Sequence, residues 1–483
     1  MMAQVFSAFL PSYEYIPDIE PHVFGDRLYL YGSHDRFGGN RFCLNDYVVW
    51  SAPLNDLSDW CFEGEIYKKN QDPANTSGKL ALYAPDVAKG PDGRYYLYYC
   101  LADYPQIGVA VCDDPCGKFE FLDYIHDGAG NIIGRREVDT LPFDPAVLVD
   151  DDSRIWLYFG NGPMKAAYDK NRKKASVYVE LEADMVTVKT KSMRLIPTLH
   201  DSEGTGFEGH EFFEASSMRK FGSRYYFIYS SIQSHELCYA ISNRPDGGFS
   251  YGGTLISNGD IRPEDGVRIG FNSKANPLIH NYIGNNHGSL LELNGGYYIF
   301  YHRQTNRNMF SRQACAEKIE LLPNGAFRQA EITSCGLNDG SLEGKGRYEA
   351  RIACHLFSKQ GALFSVHPLV QNKKHPAFTQ HGVDRESDPN QYIENMRDGA
   401  TAGFRYFDFQ NTRKITVTSR GKGEGKLVAR DGIDGKVVAT IPVKSMREWG
   451  TSEAPMEIEN GIHPLYLTYE GKNSIDFLDF MLE

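Results

Sequence analysis

The chain has 483 residues, longer than the ~100–200 residues of one compact unit, so two or three domains are expected. Hydrophobic residues make up 41% and charged residues 24%, a globular balance that argues against disorder and coiled coil. With 51 basic against 63 acidic side chains the formal charge is −12, and no basic block exists, which disfavours nucleic-acid and anionic-membrane partners.

The first stretch, MMAQVFSAFLPSYEYIPDIEP, has no basic region, no long apolar core and no convincing cleavage site, so a cytoplasmic location is expected. No apolar run is long enough to span a bilayer as a helix. From there a pattern repeats: a Gly/Asp/Asn/Ser turn, then a strand rich in Tyr, Ile, Leu and Phe. It occurs in GDRLYLYG at Leu28, PDGRYYLYY at Tyr95, DDSRIWLYF at Ile155, GSRYYFIYS at Tyr225 and NGGYYIFYH at Tyr297. The strand starts are 67, 60, 70 and 72 residues apart, room for a four-stranded unit with loops. Five such units predict a five-bladed β-propeller over residues 1–335.

Ten or eleven residues before four of these strands stands a side chain able to do chemistry: Asp18, Asp144, Glu214 and His287. In the second unit the place falls at Ala84-Pro85, with Asp86 next. Equivalent positions in a propeller lie on one ring around its axis, so three carboxylates and an imidazole are expected to converge. Singly, each acid reads as a turn or strand-edge charge. Together they match inverting glycoside hydrolysis, which needs one carboxylate to activate water and one carboxyl to protonate the leaving oxygen. A third raises the acid's pKa by repulsion. His287 reads either as a satisfied channel histidine or as the holder of a water or cation. Arg312 is expected to clamp a sugar hydroxyl or a carboxylate. Arg303 reads as a surface side chain.

Other features carry less. Nine cysteines, an odd number, sit mostly in apolar strand-like contexts and are expected as buried free thiols. Cys112 and Cys116 lack the second ligand pair of a zinc site. Gly204, Gly206 and Gly209 fit a dinucleotide-loop spacing, but EFFEASSM after them has no helical pattern. Asp150–Asp152 read as a turn.

Residues 336–347 are glycine-rich and read as a linker. Beyond them YEARIACHLF, ALFSVH, GFRYFDF, KITVTSR, KLVAR, KVVATIPV, PLYLTYEG and IDFLDFML predict about nine short strands. Residues 348–483 are therefore expected to form a β-sandwich of jelly-roll type, with GKGEGK at 421–426 as a hairpin turn. The fold class is all-β.

The N-terminal motifs resemble family 43 glycoside hydrolases of the α-L-arabinofuranosidase and β-xylosidase kind: YIPDIEPHVF around Asp18, FDPAVLVDDD at Asp144, GHEFFEASSM at Glu214, NNHGS at His287, and Arg312. The resemblance implies a five-bladed propeller of inverting enzymes, with Asp18 as general base, Asp144 as pKa modulator and Glu214 as general acid. It also implies substrate contacts from Arg312 and His287, and a channel calcium held by His287 largely through water, with no cofactor needed for the chemistry. YIENMRDGATAGFRYFDF, ITVTSRG and GIHPLYLTYEGKNSIDFLDF are similar to a family 6 carbohydrate-binding module. That module usually opens with a Glu-Ala-Glu run, where this chain has Tyr348-Glu349-Ala350-Arg351, so a structural role stands beside sugar binding. The expected activity is removal of terminal α-L-arabinofuranosyl or β-D-xylosyl units from arabino-xylo-oligosaccharides. Endo-arabinanase action, a non-catalytic sugar-binding propeller and a retaining fructosidase-like propeller are the alternatives. The last lacks its Asn-Asp-Pro-Asn start.

Overall fold

The computed structural model describes residues 4–171, 173–265, 279–362, 374–386 and 390–483. Its N-terminal part contains five sheets built on antiparallel meanders in chain order, the third extended by the short strand His126–Asp127, which pairs in parallel with Thr187–Val188. The first four open with the strands Glu20–Phe24, Leu82–Lys89, Ala146–Val149 and Phe212–Phe221, and the fifth with Leu290–Leu293. Each opening strand touches the opening strands before and after it, and Glu20–Phe24 meets Leu290–Leu293, so the five sheets close a ring. The aromatic strands of the repeat are second in each sheet: Arg27–Tyr31, Tyr95–Leu101, Ile155–Gly160, Arg224–Ser231 and Gly296–Gln304.

Their composition follows from their place. Tyr95–Leu101 is buried along its whole length, because neighbouring sheets cover both of its faces. A strand covered on both sides reads as a continuous apolar run instead of an alternating one. The aromatic rings fill the wedge between sheets, as where Tyr47, Tyr67 and Tyr99 pack with Leu82 and Leu97.

The fifth sheet has three strands, ending in Arg312–Ile319, and among the described residues no strand bridges it to the first. The seam is closed by side chains instead. Leu28, Leu30 and Trp50 pack with Phe300, Ala314 and Leu291, together with Val5, Phe9 and Leu10 of the N-terminal segment. Ser7 also donates its backbone N–H to the Ser334 carbonyl at 3.0 Å.

The C-terminal part forms two six-stranded sheets over one core. One runs Leu342–Glu343, Thr401–Phe409, Gly461–Lys472, Glu424–Arg430, Val437–Val443, with His355–Phe357 also on Thr401–Phe409. The other runs Ala377–Gln380, Gln391–Arg397, Ser474–Leu482, Lys414–Gly421, Met446–Pro455, with Gly346–Glu349 on Ser474–Leu482. Phe404 of the first sheet meets Phe480 of the second with ring centroids 4.8 Å apart.

Four details depart from the sequence reading, the first being that residues 336–347 are not a plain linker: Leu342–Glu343 and the start of Gly346–Glu349 are strands of the two C-terminal sheets. YEARIACHLF is not one strand: a 3-10 turn at Ala350–Ile352 separates Gly346–Glu349 from His355–Phe357, which join different sheets. GKGEGK is not a hairpin, because Lys414–Gly421 and Glu424–Arg430 belong to different sheets and the segment carries the chain from one to the other. Met446–Pro455 is a strand that no motif announced. The ALFSVH segment from 363 onward lies outside the described residues.

The two parts meet through buried polar contacts. Asp260 accepts from Arg405 at 2.6 Å and lies 3.0 Å from His355 Nε2. Arg303 is not a surface residue. It is 6% exposed, donates to the Arg351 carbonyl at 2.7 Å and lies 4.2 Å over the Phe378 ring.

Candidate active site

At one end of the ring a cavity of about 230 Å³ is lined by Asp18, Asp144, Glu214, His287 and Arg312, with Phe42, Tyr83 and Phe143 among its walls. All five residues singled out from the sequence thus meet in one place. Asp18 and Asp144 each stand two residues before their opening strands, Glu20–Phe24 and Ala146–Val149, with left-handed backbones at φ 56° and 45°. Aspartate tolerates that region better than most side chains. Glu214 lies inside its strand, where the register shifts on both sides of it and Ala215 has φ 66°. Such bulges re-aim a side chain out of the regular pleat.

Arg312 organises the charge. It is 2% exposed and its Nη1 donates to Asp18 Oδ1 at 2.8 Å. Its Nε and Nη2 fork onto Asp35 at 2.9 and 3.1 Å. Phe42 lies 4.6 Å from the guanidinium carbon. His302, fully buried, donates from Nε2 to the Asn285 carbonyl at 2.8 Å, so its Nδ1 accepts the Asp18 backbone N–H at 3.3 Å. Burial alone would raise the Asp18 pKa, but the Arg312 guanidinium pulls it below the usual carboxylate range. Asp18 is a buried acid kept ionised.

Glu214 and Asp144 behave in the opposite way. Burial and then the Asp18 charge push Glu214 up to about 7, with Arg312 and Lys174 opposing. Burial, Glu214 and Asp18 push Asp144 well above its ordinary value, although its Oδ2 accepts the Ala215 N–H at 2.9 Å. The two form one coupled pair that keeps a proton near neutrality. His287 Nδ1 sits 3.7 Å from Asp144 and 4.0 Å from Asp18. Burial lowers its pKa to about 4, so it is a neutral imidazole. The site therefore offers an ionised carboxylate and a protonated carboxyl around one small cavity, the two states that acid–base hydrolysis requires.

Several functional neighbours had no sequence signal. Asp35, in SHDRF, belongs to no repeat offset, yet it holds Arg312. Asn161 reaches Glu214 at 3.4 Å and is itself held by Lys174 at 2.9 Å. The wall residue Phe42 belongs to the loop between Arg27–Tyr31 and Tyr47–Pro53. The C-terminal part anchors that loop: Asp384 accepts from Phe37 N–H at 2.7 Å and from Asn45 Nδ2 at 2.9 Å. Asp384→Ala should raise KM roughly tenfold, the loss of both contacts of this carboxylate to the loop, with kcat little changed and partial recovery in Asp384→Asn. Steady-state kinetics check this, and an unchanged KM would show that the loop holds itself.

The channel beside His287 is rich in oxygen. Ser289 and Ser217 bond each other at 2.7 Å, Ser217 donates to Glu20 Oε2 at 3.1 Å, and Glu20 Oε1 is buried without a partner. Hard cations such as calcium take oxygen donors. Glu20 is already paired with Arg219 and burial pushes its carboxyl up to about 8, so among these residues the neutral His287 imidazole is the one suited to hold such an ion through water.

Residues 14–327 match the profile of glycosyl hydrolases family 43. The whole chain is 48% identical to a xylosidase/arabinosidase of Thermoclostridium stercorarium, over 100% of this chain and 99% of that one. An arabinoxylan arabinofuranohydrolase of Bacillus subtilis, solved with cellotetraose, shares the fold at 20% identity and TM-score 0.51, over 98% and 96% of the two chains. A β-xylosidase/α-arabinofuranosidase from a compost metagenome, solved with xylotriose in a calcium-free form, aligns at 24% identity and TM-score 0.51, over 68% and 98%.

Proposed function

Since the chain belongs to glycosyl hydrolase family 43, we propose that it works as an inverting exo-hydrolase in which Asp18 is the general base, Glu214 the general acid and Asp144 the residue that keeps Glu214 protonated. The enzyme is a glycoside hydrolase of the xylosidase/arabinosidase type, acting on terminal β-D-xylosyl and α-L-arabinofuranosyl units of oligosaccharides. The observation that carries the reading is the split of charge within one cavity: Asp18 held ionised by Arg312, Glu214 held up to about 7.

In the proposed reaction a terminal sugar occupies the cavity, whose volume matches about eight waters. That space suits one sugar ring and favours release from a chain end over cleavage within a chain. Asp18 takes a proton from water as the water attacks the anomeric carbon. Glu214 gives its proton to the departing oxygen. The two acids come from the first and fourth sheets, on different sides of the ring, an arrangement that favours the wide separation of inverting enzymes. Arg312 and His287 contact sugar hydroxyls. If calcium binds in the channel, His287 would hold it through water, and it would supply positive charge there. We read residues 1–335 as the catalytic propeller and the chain from Leu342 onward as a jelly roll related to family 6 modules, used here at least to brace the pocket loop.

The test is hydrolysis of p-nitrophenyl β-D-xylopyranoside and α-L-arabinofuranoside, followed by early proton NMR on the xyloside. Colour with α-xylose appearing first is expected. Initial β-xylose would overturn the inverting mechanism, and no colour with either glycoside, nor sugar release from xylo-oligosaccharides, would overturn the activity. Asp144→Asn breaks the coupled pair, so Glu214 titrates alone and loses its proton at lower pH than the pair loses its last one. The basic limb of kcat against pH is expected to move down, and an unmoved limb would assign Asp144 to structure alone.

A further inference from the structure

A second cavity, of about 400 Å³, opens on the fourth sheet away from the carboxylate pocket, with His210, Glu236, Tyr251 and Thr254 in its wall. Glu236 and Cys238 alternate on one strand, Glu236–Ser242, and so project to the same face. His210 reaches them from the turn before Phe212–Phe221, stacked on Tyr251 with ring centroids 5.0 Å apart. Its Nδ1 lies 2.6 Å from Glu236 Oε1 and 3.9 Å from Cys238 Sγ. One ligand atom from each of the three residues falls within a 4.8 Å cluster. The catalytic mechanism uses none of them.

We propose that His210, Glu236 and Cys238 form a binding site for a zinc-class divalent cation, with a fourth position open to solvent through the cavity. The donor set decides the class of ion. Imidazole, carboxylate and thiolate together suit zinc or cobalt, whereas calcium and magnesium take oxygen alone. The spacing is close to what such an ion needs. Tetrahedral zinc with its usual bond lengths puts nitrogen and sulfur about 3.6 Å apart and nitrogen and oxygen about 3.3 Å apart. The His210–Cys238 distance is already near that value. The His210–Glu236 hydrogen bond must open by several tenths of an ångström, a shift of the partly exposed His210 ring along the Tyr251 face on which it stacks.

Second contacts hold the carboxylate: Ser231 donates to Glu236 Oε1 at 2.5 Å and Thr254 to Oε2 at 3.0 Å. Such outer partners orient metal-binding carboxylates. Binding at His210 Nδ1 would shift that ring's proton to Nε2 and displace the Cys238 thiol proton. The thiol proton leaves to solvent, so affinity rises with pH. His210 stands four residues before Glu214 on the way into the same strand, so an occupied site would tether the start of the strand that carries the acid.

Cobalt titration of the full-length protein tests the site, because a thiolate ligand gives a charge-transfer band in the near ultraviolet. One equivalent of Co²⁺ should produce the band, zinc should abolish it, and calcium should leave it unchanged. Cys238→Ser and His210→Ala should each lose it or weaken binding at least tenfold. The His210 side chain is partly exposed, so His210→Ala keeps the test intact if Cys238→Ser does not fold. No band in the parent protein, a band of undiminished affinity in either folded variant, or displacement by calcium would overturn the proposal.

Discussion

Asp18→Asn and Glu214→Gln are each expected to lower kcat by ~10²–10⁴-fold, the usual contribution of a positioned acid or base. Thermal melts should show both variants folded, since each substitution replaces a carboxylate with a neutral group of the same shape. The two losses should differ in substrate dependence. Nitrophenolate departs with little help from an acid, so Glu214→Gln should be impaired less on p-nitrophenyl xyloside than on xylobiose. Asp18→Asn removes the activator of water, which both substrates need, and should be impaired similarly on the two. Near-parent turnover by either variant would remove that residue from the chemistry. Equal impairment of Glu214→Gln on both substrates would remove its acid role.

The second large effect is expected at Arg312. It joins Asp18 and Asp35 while fully enclosed, so Arg312→Met leaves two buried carboxylates without their cation. Breaking a buried pair from one side costs about 3–5 kcal/mol, and the melting temperature should fall accordingly. Activity should change in a specific direction. Burial favours the neutral form of Asp18, and Arg312 is the largest influence pulling its pKa down. Without Arg312 the Asp18 pKa rises, and a base that must be ionised is lost at higher pH. The acidic limb of kcat/KM against pH should therefore move up. A destabilised variant whose acidic limb stays in place would separate Arg312's structural role from any hold on the base.

Much of this was legible in the chain because a propeller repeats. The aromatic strands stand out since each is covered on both faces, and the offset of ten or eleven residues carried Asp18, Asp144, Glu214 and His287 into one cavity. The illegible parts share the opposite property, contacts that no repeat dictates. Asp35 and His302 act on Arg312 and Asp18 from across the seam. Arg303 reads like any polar side chain after a strand, and only docking of the C-terminal part buries it. Met446–Pro455 lies at the margin of its sheet, where most of its side chains keep contact with solvent and no apolar alternation is needed. GKGEGK resembles a hairpin because glycine and charge suit any reversal, and nothing local says which sheet the next strand joins.

The unstitched seam between the first and last sheets links assembly to activity. Asp18 lies on one side and Arg312 on the other, 294 residues apart in the chain. Each meander can form from neighbouring residues, whereas this pair exists only when the circle is shut. Nascent or partly refolded chains with every hairpin in place would still have a base without its cation. Turnover would then appear during refolding later than β-structure, and gentle denaturant would silence the enzyme while most strands persist. In that sense catalysis is the readout of a clasp, and the clasp is fastened by the same guanidinium that keeps the base charged.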